Sequence, residues 1–110
     1  MFQAILVLTN VPSAELATAI STSLVEQGLA ACVNILPAVQ SVYRWQGKVE
    51  QAVEIPLLIK AAAKRYAELE AGIRALHPYD TPEIIAINID AGLPAYLNWI
   101  DAETVKVLNV

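Results

Sequence analysis

Residues 41–48 read SVYRWQGK: an apolar, β-branched run ends on aromatic residues, passes through Gln46-Gly47, and gives way to a second apolar run. This pattern predicts the tip of a long β-hairpin. Its arms run from Leu29 to Trp45 and from Lys48 to Lys60, both rich in the residues that strands favour. With a strict two-residue loop, Pro37 falls opposite Pro56. Each proline removes a ladder donor, so the two strands are expected to bend together there. A bulge at Gly47 shifts that pairing by one residue and leaves a bent ribbon in place. A two-stranded ribbon of this length is poorly stable alone and needs a partner.

A second stretch, LHPYDTPEII at 76–85, marks where a helix stops and a strand begins. Upstream of it, Ala62, Tyr66, Leu69, Ile73 and Leu76 form one helical stripe, with Lys64, Arg65, Glu68 and Arg74 elsewhere. His77 precedes Pro78 and is pushed out of the α region, which ends this helix. Pro82 to Ile89 then reads as a nearly continuous apolar strand of the kind found inside a sheet. Towards the N-terminus, Phe2 to Thr9 is a run of strand length closed by Asn10-Val11-Pro12. Leu16, Ile20 and Leu24 recur at helical spacing from Ser13 to Gln27, with Ser13 as cap and Gly28 as stop. After a turn at Asp90 to Leu93, Pro94 starts a short helix, and Val105 to Val110 is expected to add a last short strand. The order strand, helix, strand, strand, helix, strand is the ferredoxin-like split βαβ arrangement of the α+β class, with a small C-terminal extension.

The 110 residues suffice for one domain, 1–110, and not for two. Hydrophobic residues make up 56% and charged residues 16%, with a mean hydropathy of +0.49, well on the apolar side of the usual balance. Asn10, Glu15, Glu26, Asn34, Arg44 and Glu54 interrupt every run before it reaches membrane-spanning length. The excess apolar surface is therefore expected between subunits, not in lipid. The first residues, MFQAILVLTN, lack the basic lead-in and small-residue cleavage site of a secretory signal. A net charge of −4 with no Lys/Arg cluster excludes a nucleic-acid surface of the usual kind. Cys32 is the single cysteine, which rules out an intrachain disulfide and multi-cysteine metal sites and fits a reducing, cytoplasmic setting.

The segments GLAACVNILP (28–37), SVYRWQGK (41–48), LLIK (57–60), LHPYDTPEII (76–85) and YLNWI (96–100) together resemble the CutA family, the divalent-cation tolerance proteins. The resemblance runs over essentially the whole chain in order and spacing. It implies a ferredoxin-like subunit in a tight homotrimer, much as in PII-type signalling trimers, with hairpin strands and the C-terminal segment joining sheets across subunits; three chains burying edge strands and apolar side chains against one another are expected to be thermostable. It also implies copper binding through a Cys at the end of the first strand and a His-His pair before Pro-Tyr. Here Thr9 and Leu76 stand at two of these places and only His77 matches, so any copper site is expected to be weak and no cofactor is required.

His77 reads either as a metal ligand or proton carrier, or as a helix-ending residue bonded to backbone. Cys32 reads as a buried small hydrophobe or a soft ligand. Tyr43 and Trp45 are expected to anchor the trimer interface, the alternative being a stacking platform for a ligand. Lys60, Asp80, Thr81 and Glu83 form the best polar set, and Glu54, Lys60, His77, Tyr79 and Asp80 are expected to line an intersubunit cleft for a small anion or a metal. The competing reading of Asp80-Thr81-Pro82 is ordinary turn chemistry. No phosphate loop, nucleophile elbow, zinc-protease helix or Cys/His/Asn set is present. The leading expectation is thus a non-enzymatic cytoplasmic homotrimer in divalent-cation (copper) tolerance. The alternative is a PII-like regulatory trimer that binds a small ligand in its intersubunit clefts.

Overall fold

The computed structural model describes residues 2–104. The strand expected at Val105 to Val110 lies outside the described residues. In chain order the elements are β1 (Ala4–Val11), α1 (Ala14–Glu26), β2 (Cys32–Ile35), β3 (Val39–Trp45), β4 (Lys48–Ala62), α2 (Tyr66–Leu76), β5 (Ile84–Asn88) and α3 (Pro94–Glu103), with a 3-10 turn at Ala63–Arg65 before α2. Four strands form an antiparallel sheet in the order β2-β4-β1-β5, and β3 pairs with the outer half of β4. This is the ferredoxin-like topology, with a ribbon that runs past the sheet.

The boundaries follow local chemistry. Ser13 caps α1 by accepting a hydrogen bond from the Leu16 N–H at 3.2 Å. At the other end, Gly28 sits at φ +68° while Gly28 N–H donates to the Val25 carbonyl and Leu29 N–H to the Leu24 carbonyl. That is a Schellman stop, and the left-handed position explains the glycine. At the ribbon tip Gln46 and Gly47 both have positive φ, +50° and +82°, with Trp45 paired to Lys48. The loop is therefore a two-residue type I′ turn, whose twist matches the strands, and no bulge occurs there.

The extra residue lies further down. Ile35 pairs with Leu57 and Val39 with Glu54, so three residues on one strand span two on the other. Pro37 falls in this step, which ends β2 and starts β3, whereas β4 runs unbroken through Pro56. The expected joint bend is thus a one-sided interruption: Pro56 does not cost β4 its pairing, because β1 continues the ladder opposite it through Asn10.

One sheet face is packed and the other is largely open. Ile5, Val7, Val11, Leu57 and Ile59 point towards α1 and α2 and meet Ile20, Leu24, Leu69 and Ile73, all buried. Arg65, also buried, bonds through its guanidinium to both Glu68 carboxylate oxygens at 3.0 and 3.2 Å and fastens the start of α2. On the opposite face α3 covers one end, where Ile100 and Leu97 pack against Ala4, Ala31 and Phe2. The rest of that face carries the row Ile85, Leu8, Leu58 and Asn34 across four strands. Ile85 and Ile87 are about half exposed there, at 49% and 50%. No described helix is long and apolar enough to cross a membrane.

Candidate functional site

Strand alternation places Ser41, Tyr43 and Trp45 on one side of the β3–β4 ribbon. This side overhangs the segment between α2 and β5, and a cleft of about 680 Å³ opens between them. Its walls are Ser41, Val42, Tyr43, Trp45 and Glu54 from the ribbon, Asn10 from the end of β1, and Tyr79, Asp80, Thr81, Pro82 and Glu83 from the connecting segment. The volume falls within the usual range for small-molecule sites.

His77 holds the connecting segment in place. Its ring is buried, with Nε2 2.7 Å from the Asn10 carbonyl oxygen, while Nδ1 accepts the Tyr79 N–H at 3.2 Å. Because Nδ1 is an acceptor, the proton sits on Nε2 and is donated to the carbonyl. Its backbone N–H closes α2 on the Ile73 carbonyl. Both readings of His77 can be weighed on this geometry: each ring nitrogen is committed within the chain, so a metal at either one must displace a hydrogen bond. Among the described residues no three His, Cys, Asp or Glu side chains converge as a metal-holding group.

The His77 ring also packs against Tyr79, with centroids 4.6 Å apart. Tyr79 in turn points its hydroxyl at Glu54 Oε2, 3.5 Å away. Burial, then the negative charge of Glu54 and the nearby Tyr43, push the Tyr79 phenol above its ordinary value of 10.0, because each disfavours the phenolate. Glu54 itself is only 8% exposed.

Glu54, Tyr79 and Asp80 therefore meet at one cleft with Tyr43 and Trp45, and His77 stands directly behind it. Lys60 does not join them. It lies on the open sheet face, where its Nζ donates to Asn34 Oδ1 at 2.7 Å and sits 5.8 Å from the Tyr96 ring centre. Lys60 shares a strand face with Glu54, but β4 carries it six residues further along the sheet, away from the cleft within one chain. Without Lys60, the described residues that wall the cleft include carboxylates and no Lys, Arg or His, a charge unsuited to an anion. Cys32 is half-buried and paired in register with Lys60, far along the sheet from the cleft. Sequence reasoning did not single out Asn10, Ser41, Val42 or Pro82. Ser41 was detectable from its two-residue spacing to Tyr43 and Trp45, whereas Asn10 comes from a strand that only the fold brings near.

The model of the family described as CutA1 divalent ion tolerance protein matches residues 5–103. The chain belongs to the CutA1 family. A CutA relative from Thermus thermophilus, called divalent-cation tolerance protein CutA, is 47% identical over 98 residues, covering 89% of this chain and 95% of the relative. The mouse Protein CutA is 38% identical over 98 residues, covering 89% of this chain, which spans 55% of the mouse protein. A solved CutA1 structure from Thermus thermophilus superposes with a TM-score of 0.91 at 45% identity, covering 93% of this chain and 99% of the other. CutA1 relatives are thus named for tolerance of divalent cations, and their structures share this subunit fold.

Proposed function

We propose that this chain acts as a non-catalytic, cytoplasmic homotrimer in the cellular response to divalent cations, copper among them. Family membership supports the cation-tolerance part. The observation that carries the assembly part is the open apolar sheet face: Leu6, Leu8, Leu58, Ile85 and Ile87 form a continuous surface beside a ribbon whose outer edge has no neighbour among the described residues. Burying such a face and capping such an edge is what closed oligomers achieve. Tyr43 and Trp45, each nearly half exposed, supply aromatic anchors at the ribbon tip for a neighbouring subunit.

Copper contact in this reading is weak. His77 has to give up either its bond to Asn10 or its bond to Tyr79 to coordinate, and a lone imidazole holds a metal poorly. Tolerance then depends on the assembled protein, not on a tight resident metal. The test is growth of a strain lacking the gene in elevated Cu(II). Wild-type protein should restore growth and the assembly-defective Ile85→Lys variant should not. Restoration by a monomeric variant would overturn the proposal.

A further inference from the structure

The three positions that the resemblance ties to copper do not converge in this chain. Thr9 is fully buried with its hydroxyl unpartnered, whereas Leu76 is exposed at the end of α2. Neither offers the thiol or the imidazole that copper prefers, and among the described residues no group of three or more His, Cys, Asp or Glu could hold a metal ion. The residues at this place do not fit the ion. The two ring bonds of His77 serve the chain itself.

These bonds lead to two separate elements. Nε2 reaches the Asn10 carbonyl at the end of β1, 2.7 Å away, and Nδ1 accepts the Tyr79 N–H at 3.2 Å. The second bond closes a turn around Pro78, whose fixed φ leaves the segment little freedom. Tyr79 is thereby held with its ring 4.6 Å from the imidazole and its hydroxyl 3.5 Å from Glu54 Oε2. Glu54 has a particular place in β4. The pairing of β1 with β4 ends at Val11 and Ile55, and that of β3 with β4 begins at Val39 and Glu54. Glu54 is therefore the residue at which β4 leaves β1 and becomes one arm of the ribbon. Asn10, His77, Tyr79 and Glu54 tie the end of β1, the segment after α2 and the root of the ribbon together.

We propose that His77 is a positioning residue for assembly: its two ring bonds hold Tyr79 against Glu54, and this brace sets the angle at which the ribbon leaves the sheet. The part that concerns a neighbouring subunit rests on the homotrimer reading, whereas the brace lies within one chain. A lone pair of strands is pliable. From Glu54 to Lys48 the arm spans about 20 Å, so a swing of about 10° at the root moves the tip by about 3.5 Å, roughly one residue of strand. Such a shift takes Tyr43 and Trp45 out of step with the surface that receives them.

The experiment combines amide hydrogen exchange, followed by nuclear magnetic resonance on the full chain, with sedimentation velocity over a dilution series. Three substitutions divide the two ring bonds. In His77→Asn the side-chain oxygen takes the place of Nδ1 and keeps the Tyr79 N–H; in His77→Gln the amide nitrogen takes the place of Nε2 and keeps the Asn10 carbonyl; His77→Ala keeps neither. Exchange at Tyr79 should rise about tenfold in the Gln and Ala variants, the scale of one lost hydrogen bond, and stay slow in the Asn variant. In His77→Ala the ribbon-root amides of residues 39–41 should exchange severalfold faster, and the assembly should dissociate at about tenfold higher concentration. Tyr79→Phe, which leaves both ring bonds and removes the hydroxyl from Glu54, should keep the Tyr79 position protected yet loosen the ribbon root and the assembly severalfold. The proposal is overturned if exchange at Tyr79 does not follow this order, or if folded His77→Ala or Tyr79→Phe protein matches the wild type at the ribbon root and in assembly. Should His77→Ala fail to fold, His77→Gln and Tyr79→Phe decide the outcome. A wild type that sediments as a single chain removes the homotrimer reading alone, and exchange at the ribbon root then decides the brace.

Discussion

Replacing Ile85 by lysine separates the demands of the single chain from those of the assembly. Ile85 lies on the edge strand of the open face, in register with Leu8, which in turn pairs with Leu58. It is 49% exposed in the isolated chain, so the fold itself loses about 1 kcal/mol or less when a lysine stem takes its place and the ammonium reaches water. Docked against another subunit, the same position surrenders the remaining half of an isoleucine's burial, about 1.5 kcal/mol. It also buries an unpaired charge, at several kcal/mol more. Taking about 4 kcal/mol per chain, a three-chain assembly loses about 12 kcal/mol, or roughly eight to nine orders of magnitude in its association constant. Sedimentation velocity should show the wild type at three times the chain mass and Ile85→Lys as smaller or aggregated species. Thr18→Lys, on the exposed side of α1, should leave the mass unchanged. An Ile85→Lys protein that sediments as the wild type would show that this face is not the interface.

Three further outcomes follow from local structure. Ser13→Ala removes the α1 cap and should lower the urea-unfolding free energy by about 1 kcal/mol. Gly47→Val forces a β-branched residue to φ +82°, where an added Cβ meets nothing within 4 Å; the expected loss of about 1–2 kcal/mol is thus backbone strain, and Gly47→Asn should recover most of it on thermal unfolding. For Tyr79 the folded-state phenol sits above 10.0, so its stabilising contribution is whole below that pH and is lost as pH rises through the raised value. Tyr79→Phe should flatten the alkaline fall in stability without abolishing it, because Tyr66, raised by burial and by the negative charge of Glu70, contributes in the same direction. A Phe variant whose alkaline unfolding profile overlays the wild type would refute this assignment.

Much of the fold was legible because the deciding signals are local. Gln46-Gly47 between two β-branched runs can close only a tight hairpin, and Ser13 and Gly28 bracket a helix through bonds spanning a few residues. His77-Pro78 likewise stops α2 through the restricted backbone before proline. The first strand was read two residues short, since β1 extends through Asn10 and Val11 on the strength of its pairing with β4 and not of its own composition. The expected joint bend at Pro37 and Pro56 failed for a related reason. Whether a proline interrupts a strand depends on which neighbour lies on its donor side, and that neighbour is supplied by the sheet.

The candidate site divides along the same line. Glu54, Tyr79 and Asp80 were expected together at one cleft, but that Tyr43 and Trp45 wall the same cleft, and that Lys60 lies away from it within one chain, arises from where the ribbon folds over the segment after α2. Sequence alone determined the kinds of element, their order, their caps and the surplus of apolar surface, because hydrophobic periodicity and turn chemistry act over a few residues. Only the tertiary structure decided which sheet face stays open, that His77 spends both nitrogens on the backbone, and that Glu54 is buried beside the Tyr79 hydroxyl. These depend on contacts between residues as far apart as Asn10 and His77, 67 positions along the chain, and no local pattern encodes them.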